Sequence, residues 1–356
     1  MDLSGFDVKR VEYALGGLRR AYRSDPIGDT HGPTVICSAL ETRASVLRRH
    51  GRSEQVRRNF NNYVKEAQAL VAIVDPNGMF SVFPGDTRDR FEVPTFVKSR
   101  LIGDRDWPCV LLPLDRLRHW GDFLRVTKND VPFAVKDDRL VWRGLTTGAF
   151  MDGAPTRPRS SRSHVATLAP RHEEIDIGYS GIVQISDANS DIPMDIVRRR
   201  MRPEISLEAQ LRSKFLLALE GNDVATGMKW MLFSNSTVLM PAPTCETWAY
   251  ESFLLPFVHY VPLRHDLSDI DDVYDWCRTN PNACEEIAQN GKQFITAFLD
   301  ERTEMRVCRA VISEYLSKVS FEVTFGPLER ALQRMQRYLP GPARNRIVRP
   351  PFPSVG

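Results

Sequence analysis

The sequence predicts an α/β protein built on parallel sheet. Three observations carry this: short apolar runs separated by turn residues recur between Lys214 and Leu263, the stretches between them can hold helices, and 356 residues exceed the usual size of a single core. Two domains are therefore expected. Strands that alternate with helices imply right-handed crossovers, and such sheets bind ligands outside the carboxyl ends of their strands.

Taken in order, residues 5–23 place Val11, Leu15, Leu18 and Tyr22 at helical spacing with basic residues on the flanks. A core-docked or surface helix is the plain reading, and contact with an anionic membrane the sharper one. Residues 69–74 and 79–83 read as two strands around Asp75-Pro76-Asn77-Gly78, the second stopped by Pro84-Gly85. Residues 93–98 and 110–114 read as further buried strands, giving the first half its own sheet. A hinge is expected near 129–138, between the helix-like 116–124 and a strand at 140–143. Phe215 begins a short strand that Gly221-Asn222-Asp223 breaks, and a helix is expected from near Val224. Residues 237–240 form the next strand, stopped by Pro241 and Pro243, then a helix starting at Glu246 and a strand at 258–263. Ser268, with Asp271 three residues on, is expected to cap a helix, and Asn280-Pro281 to start another. The domains expected are 1–135, 136–315 and a tail, 316–356, with a helix and a loosely packed end rich in proline and arginine.

Composition is ordinary for a globular protein, 42% apolar and 26% charged, and no window approaches the length of a transmembrane helix. The first residues lack the apolar core of a secretory signal, so a cytoplasmic location is expected. Cys37, Cys109, Cys245, Cys277, Cys284 and Cys308 include no CxxC pair, which argues against zinc and a disulfide framework. Net charge is only +3, yet basic residues clump at Lys9, Arg10, Arg19, Arg20 and Arg23, at Arg157, Arg159 and Arg162, and at Arg198, Arg199, Arg200 and Arg202. Solvated helix faces account for the first and third clusters; the middle one lies in a Pro- and Ser-rich loop beyond a Trp-Arg-Gly motif and points to an anionic ligand.

LLPFVHYVPL (254–263), followed by DLSDIDDVYDW and CEEIAQNGKQFI, resembles glycosyltransferase family 90. That family includes eukaryotic protein O-glucosyltransferases and xylosyltransferases and bacterial lipopolysaccharide-core transferases. EGNDVAT (220–226) and PAPTCETW (241–248) look like the bacterial branch, and the resemblance covers roughly 135–300. It implies a GT-B-like fold, two Rossmann-like domains with parallel sheets facing across a cleft. It also implies an inverting reaction with a UDP-sugar donor, a lipopolysaccharide-core or other cell-envelope glycan acceptor, and contact with the cytoplasmic face of the inner membrane.

Such a transfer needs a base for the acceptor hydroxyl and positive charge or backbone donors for the departing diphosphate. Eukaryotic members carry a catalytic Asp in an Asn-Thr-Arg-Asp-Trp-Pro context, whose centre Thr87-Arg88-Asp89 matches; Asp89 is thereby the candidate base. Arg90-Phe91 replaces Trp-Pro, which leaves the register open and keeps Asp86 as the alternative, while a plain turn with an Arg88 ion pair is the bland reading. For the diphosphate, Trp142-Arg143-Gly144 matches the family's aromatic-Arg-Gly motif, and Thr146, Thr147 and Gly148 beyond it suit phosphate. Arg162, ahead of a helix, is the second matching arginine. Asn222, Asp223, Ala225, Thr226 and Lys229 belong to the turn and helix expected to face the same phosphates, although Gly227 stands where protein-modifying members have arginine. Glu246 is read either as an acceptor for ribose hydroxyls or as an acid matched to a helix dipole. His259 reads as a core histidine, and Trp230, Phe233 and Trp248 as core. No DxD-type motif stands at a strand end, so no metal or cofactor is expected. The alternative class is a non-catalytic protein whose basic clusters bind nucleic acid or an anionic surface, against which no nucleic-acid motif is present.

Overall fold

A computed structural model of the protein describes residues 4–23, 34–50, 53–104, 106–151 and 159–321. The fold is mixed α/β, and the chain divides into two compact units. Among the described residues the first holds 4–116 and 301–321, the second 117–300. No described helix is long and apolar enough to cross a membrane.

In the first unit β1 (Val35–Ser38), β2 (Met79–Val82), β3 (Thr95–Val97) and β4 (Cys109–Leu111) form one sheet in that order. β1 is antiparallel to β2, and the other neighbours are parallel. Phe80, Val82, Phe96, Val97, Val110 and Leu111 are all buried, so both faces of the parallel strands are covered, as such sheets require. Helix Glu301–Lys318 supplies part of that cover. Its Tyr315 hydroxyl donates to the Pro94 carbonyl (2.7 Å) and accepts from the Ser81 N–H (3.1 Å), with the ring 4.1 Å from that of Phe96. Burial pushes this phenol well above its ordinary pKa, which keeps the proton on it. The same helix meets helix Gly5–Leu15 through Arg10 and Glu304, a buried bidentate pair at 2.6 Å.

The second unit is built on five strands, β5 (Asp137–Leu145), β6 (Ile175–Gly181), β7 (Ser213–Leu217), β8 (Thr237–Pro241) and β9 (Val261–Leu263). All are parallel, in the order β9-β8-β7-β5-β6. Within the unit this is the 2-1-3-4-5 doubly wound order, whose winding reverses between its first and third strands, here β5 and β7. Trp142, Tyr179, Phe215, Leu217 and Leu239 form the core with Tyr274 and Ile287 from the helices Ile270–Thr279 and Pro281–Thr296.

Several expectations are corrected. Residues 69–74 are not a strand; most of them belong to helix Lys65–Ala72, which continues Glu54–Asn59 through a π-helical turn, Phe60–Val64. A six-residue apolar run has no period of its own, and the helical pattern lies upstream, where Val56, Phe60, Tyr63, Val64 and Ala67 are buried. The helix expected near Val224 starts at Met228, after a turn closed by Met228 N–H on the Ala225 carbonyl. Glu246 lies in a buried strand, Cys245–Thr247, around which Glu220 accepts the N–H groups of Thr244 and Cys245 and Glu251 that of Thr247. The last strand starts at Val261, since 255–260 closes a tight loop in which His259 Nδ1 accepts the Leu255 N–H at 2.9 Å. Asp269, rather than Ser268, precedes helix Ile270–Thr279. The compact units divide at Arg116 and again at Asp300. Arg157 and residues 322–356 lie outside the described residues.

Candidate active site

The loops beyond β5 and β7 meet where the winding reverses, and Arg162 joins them. From the short helix Ser161–His164, its Nη1 donates to the Leu145 carbonyl (3.0 Å) and Thr147 Oγ1 (2.7 Å), while Nε and Nη2 donate to the Leu219 carbonyl (3.2 and 3.0 Å). The Tyr179 hydroxyl donates to the Arg162 carbonyl at 2.5 Å, and the guanidinium carbon lies 5.8 Å from the Trp142 ring. Asn222 Oδ1 accepts the Gly148 N–H at 3.2 Å. Two glycines permit the approach. Gly148 has φ +102°, and a Cβ on Gly221 would stand 2.4 Å from Thr147 Oγ1. A half-buried guanidinium among small residues and backbone, at the carboxyl ends of two parallel strands, is an arrangement suited to an anion.

A cavity opens at the ends of β7, β8 and β9, lined by Ser161, Ala218, Glu220, Val224, Ala225, Met228, residues 240–245, Glu251 and His265. Its polar wall is fixed from behind. Glu220 accepts from Thr244 N–H (2.9 Å), the Thr244 hydroxyl and Cys245 N–H (3.1 Å). Glu251 accepts from Thr247 N–H (2.5 Å), Thr247 Oγ1 (2.7 Å) and Lys229 Nζ (3.1 Å). Lys229 and Glu251 are each 1% exposed, and Lys229 Nζ lies 3.5 Å from His119 Nδ1 and 5.8 Å from the Trp120 ring.

The structure gathers some of the expected residues and disperses others. Arg162, Thr147, Gly148 and Asn222 converge at the reversal, and Ala225 lines the cavity. Thr146 is buried beside them, its hydroxyl donating to the Val183 carbonyl and accepting the Val183 N–H, both at 2.7 Å, which pins the loop. Gly144 packs on the Trp142 ring, where a Cβ would come within 2.4 Å. The Asp223 carbonyl closes the turn onto Gly221 N–H at 3.0 Å, and Thr226 is half-buried in the turn before Met228. Arg143 is not brought to the strand ends. Alternation along β5 sends Trp142 to the core and Arg143 to the other face, where every guanidinium N–H is taken: Nε by Pro203, Nη1 by the Trp142 and Asp176 carbonyls, Nη2 by both Asp176 carboxylate oxygens at 2.9 and 3.0 Å. Lys229 is spent on Glu251, and Glu246 is wholly buried. Glu251 escaped the sequence reading, since no spacing marks it, whereas Glu220 opens the EGNDVAT stretch at the end of a predicted strand.

The two candidate bases belong to the first unit, in the loop beyond β2. Asp89 is exposed, its N–H donating to Thr87 Oγ1 at 2.9 Å. Asp86 Oδ1 accepts from Lys98 Nζ (2.5 Å) and Tyr63 Oη (3.2 Å).

A doubly wound unit with a fixed cation at its reversal defines a class of α/β proteins that bind ligands at strand ends. Comparison with known proteins is narrower. The family described as Glycosyl transferase family 90 matches residues 122–342. O-glucosyltransferase LpsA of Dichelobacter nodosus is 33% identical over 257 residues, 72% of this chain and 73% of that protein. Uncharacterized protein 035R of Invertebrate iridescent virus 3 is 36% identical over 179 residues, 46% of this chain and 15% of that one. Protein O-glucosyltransferase 1 of Homo sapiens is 25% identical over 184 residues, 51% of this chain and 45% of its own. The chain belongs to glycosyl transferase family 90, and glycosyl transfer is the class of chemistry that this membership supports.

Proposed function

We propose that this protein is an inverting glycosyltransferase of GT-B architecture. It takes a sugar from a UDP-sugar, without metal or other cofactor, and places it on a lipopolysaccharide-core or other cell-envelope glycan. The observation that carries the reading is Arg162 fixed across the reversal of the second unit's sheet. In this mechanism Asp89 takes the proton of the acceptor hydroxyl, whose oxygen attacks the anomeric carbon from the face opposite the diphosphate. The bond from that carbon to the β-phosphate oxygen breaks, and UDP leaves with the electron pair. Arg162 and Thr147 offset the charge that develops on the leaving oxygen. The nucleoside lies over the loops beside Val224 and Ala225, with Glu220 as an acceptor for its hydroxyls. Arg143 has a different part, holding β5 to β6 through Asp176. The acceptor class follows the likeness of residues 220–226 and 241–248 to the bacterial branch, and a cytoplasmic location beside the inner membrane goes with it.

The test is UDP release from UDP-glucose, UDP-xylose and UDP-galactose, with and without truncated lipopolysaccharide, in excess EDTA. Acceptor-dependent release from one donor, unchanged by EDTA, is expected. Loss in EDTA restored by manganese would overturn the metal-free mechanism, and no acceptor-dependent release from any donor would overturn the substrate assignment.

A further inference from the structure

We infer that Lys98 and Tyr63 are positioning residues for transfer, holding through Asp86 the loop that presents Asp89. This rests on the reading of Asp89 as the base. The loop at 84–89 has no regular secondary structure, yet side chains hold it at successive points. The Pro84 carbonyl accepts from Gln55 Nε2 (3.4 Å) and Asn59 Nδ2 (2.8 Å), Asp86 from Lys98 and Tyr63, and the Thr87 carbonyl from Ser99 Oγ (3.3 Å). Thr87 Oγ1 then takes the N–H of Asp89 itself. Gln55, Asn59 and Tyr63 recur every fourth residue along one helical run, and Lys98 and Ser99 directly follow β3, so the loop is fastened between a helix face and a neighbouring strand end.

Two features set this apart from ordinary loop anchoring. Lys98 is 2% exposed, and a buried ammonium with its carboxylate carries a desolvation penalty that a neutral hydrogen bond would avoid; what a buried pair supplies is a defined geometry. Tyr63 comes from the π-helical turn, a distortion frequent at functional sites, and its hydroxyl lies 3.4 Å from Asp115 Oδ2 as well, where Asp115 holds φ +53° in the left-handed region. A base displaced by a fraction of an ångström loses much of its effect, so a rigid mount is what Asp89 requires.

The experiment has two arms, each on Lys98→Met and the milder Tyr63→Phe in the full chain, with melting temperature as the folding control. Amide exchange of residues 85–90 is expected to quicken in both variants, while that of β2 and β3 is unchanged. Transfer from UDP-glucose to truncated lipopolysaccharide is expected to fall in kcat by roughly 10- to 100-fold for Lys98→Met, with KM for UDP-glucose within about twofold, and neither variant should lower kcat further once Asp89 is Asn. Unchanged exchange overturns the inference, as does faster exchange with wild-type kcat, or a fall that adds in full to that of Asp89→Asn. Wild-type turnover in Asp89→Asn removes the base assignment instead, while the exchange arm still decides whether Lys98 and Tyr63 hold the loop.

Discussion

The carboxyl ends of the two sheets are furnished in opposite ways. At the ends of β5 and β7 the chain offers small residues, backbone and a guanidinium whose position is secured by carbonyl groups, with the Glu220 carboxylate turned to Thr244 and Cys245. At the ends of β2 and β3 it offers carboxylates, mounted on a buried ammonium and a phenol. A guanidinium keeps its charge at any working pH, so neutral partners suffice to place it. A carboxylate that exchanges a proton must be both positioned and exposed, and the loop divides those tasks between Asp86 and Asp89. The difference teaches that a strand-end loop can be secured by neutral carbonyl groups or by a buried charge pair; in the proposed mechanism the first serves anion binding and the second proton transfer.

The sharpest way to break this contrast is Asp89→Asn, expected to lower turnover by roughly 10²–10⁴-fold with UDP affinity within about twofold. Asp86→Asn should fall less, because its amide oxygen still accepts from Tyr63; steady-state kinetics showing full activity in both variants would leave this loop without a base. Next in size, Arg162→Met should weaken UDP binding by about 1.5–3 kcal/mol in calorimetry, the range for a hydrogen bond to a charged group. Arg143→Met should change UDP affinity less than about threefold while lowering the melting temperature, since it removes the bidentate partner of Asp176 and leaves it with Arg139. Equal losses of affinity would mean that Arg143 reaches the nucleotide. The smallest effect concerns His259, which serves neither strand end. Burial holds its imidazole below the ordinary value, so the fold favours the neutral ring. Its contribution is complete above about pH 6.5, where the unfolded ring is neutral too, and is lost as pH falls through the folded value. Melting curves at pH 7.5 and 5.5 should therefore show a larger drop for wild type than for His259→Gln; identical drops would contradict the role given to the half-buried ring.

Much of the second unit was legible in the sequence. Phe215 and Thr237 mark strands because the short apolar runs there end at Gly221 and Pro241, and turn chemistry is local, whereas Val261–Leu263 carries Pro262 within it. That Arg162 and Thr147 come together beyond strand ends was legible, the first from its motif and the second from composition. The role of Arg143 was not, because its partner Asp176 lies 33 positions away on the next strand, and no local pattern reports strand pairing. Residues 69–74 were misread because their period is carried by the helix before them. Glu246 was misread because no local pattern reports the bonds that Glu220 and Glu251 make around it.

The pairing of Arg10 with Glu304 bears on the order in which the molecule can be made. A nascent chain that has reached Asp300 already contains every strand of the second unit's sheet and the helices that flank it. The first unit at that moment has the four strands of its main sheet but neither Tyr315 over Phe96 nor a counter-charge for Arg10. The half of the protein that is translated first is thus the half that is completed last, and until Glu301–Lys318 emerges it holds an uncovered sheet face of the kind that chaperones recognise.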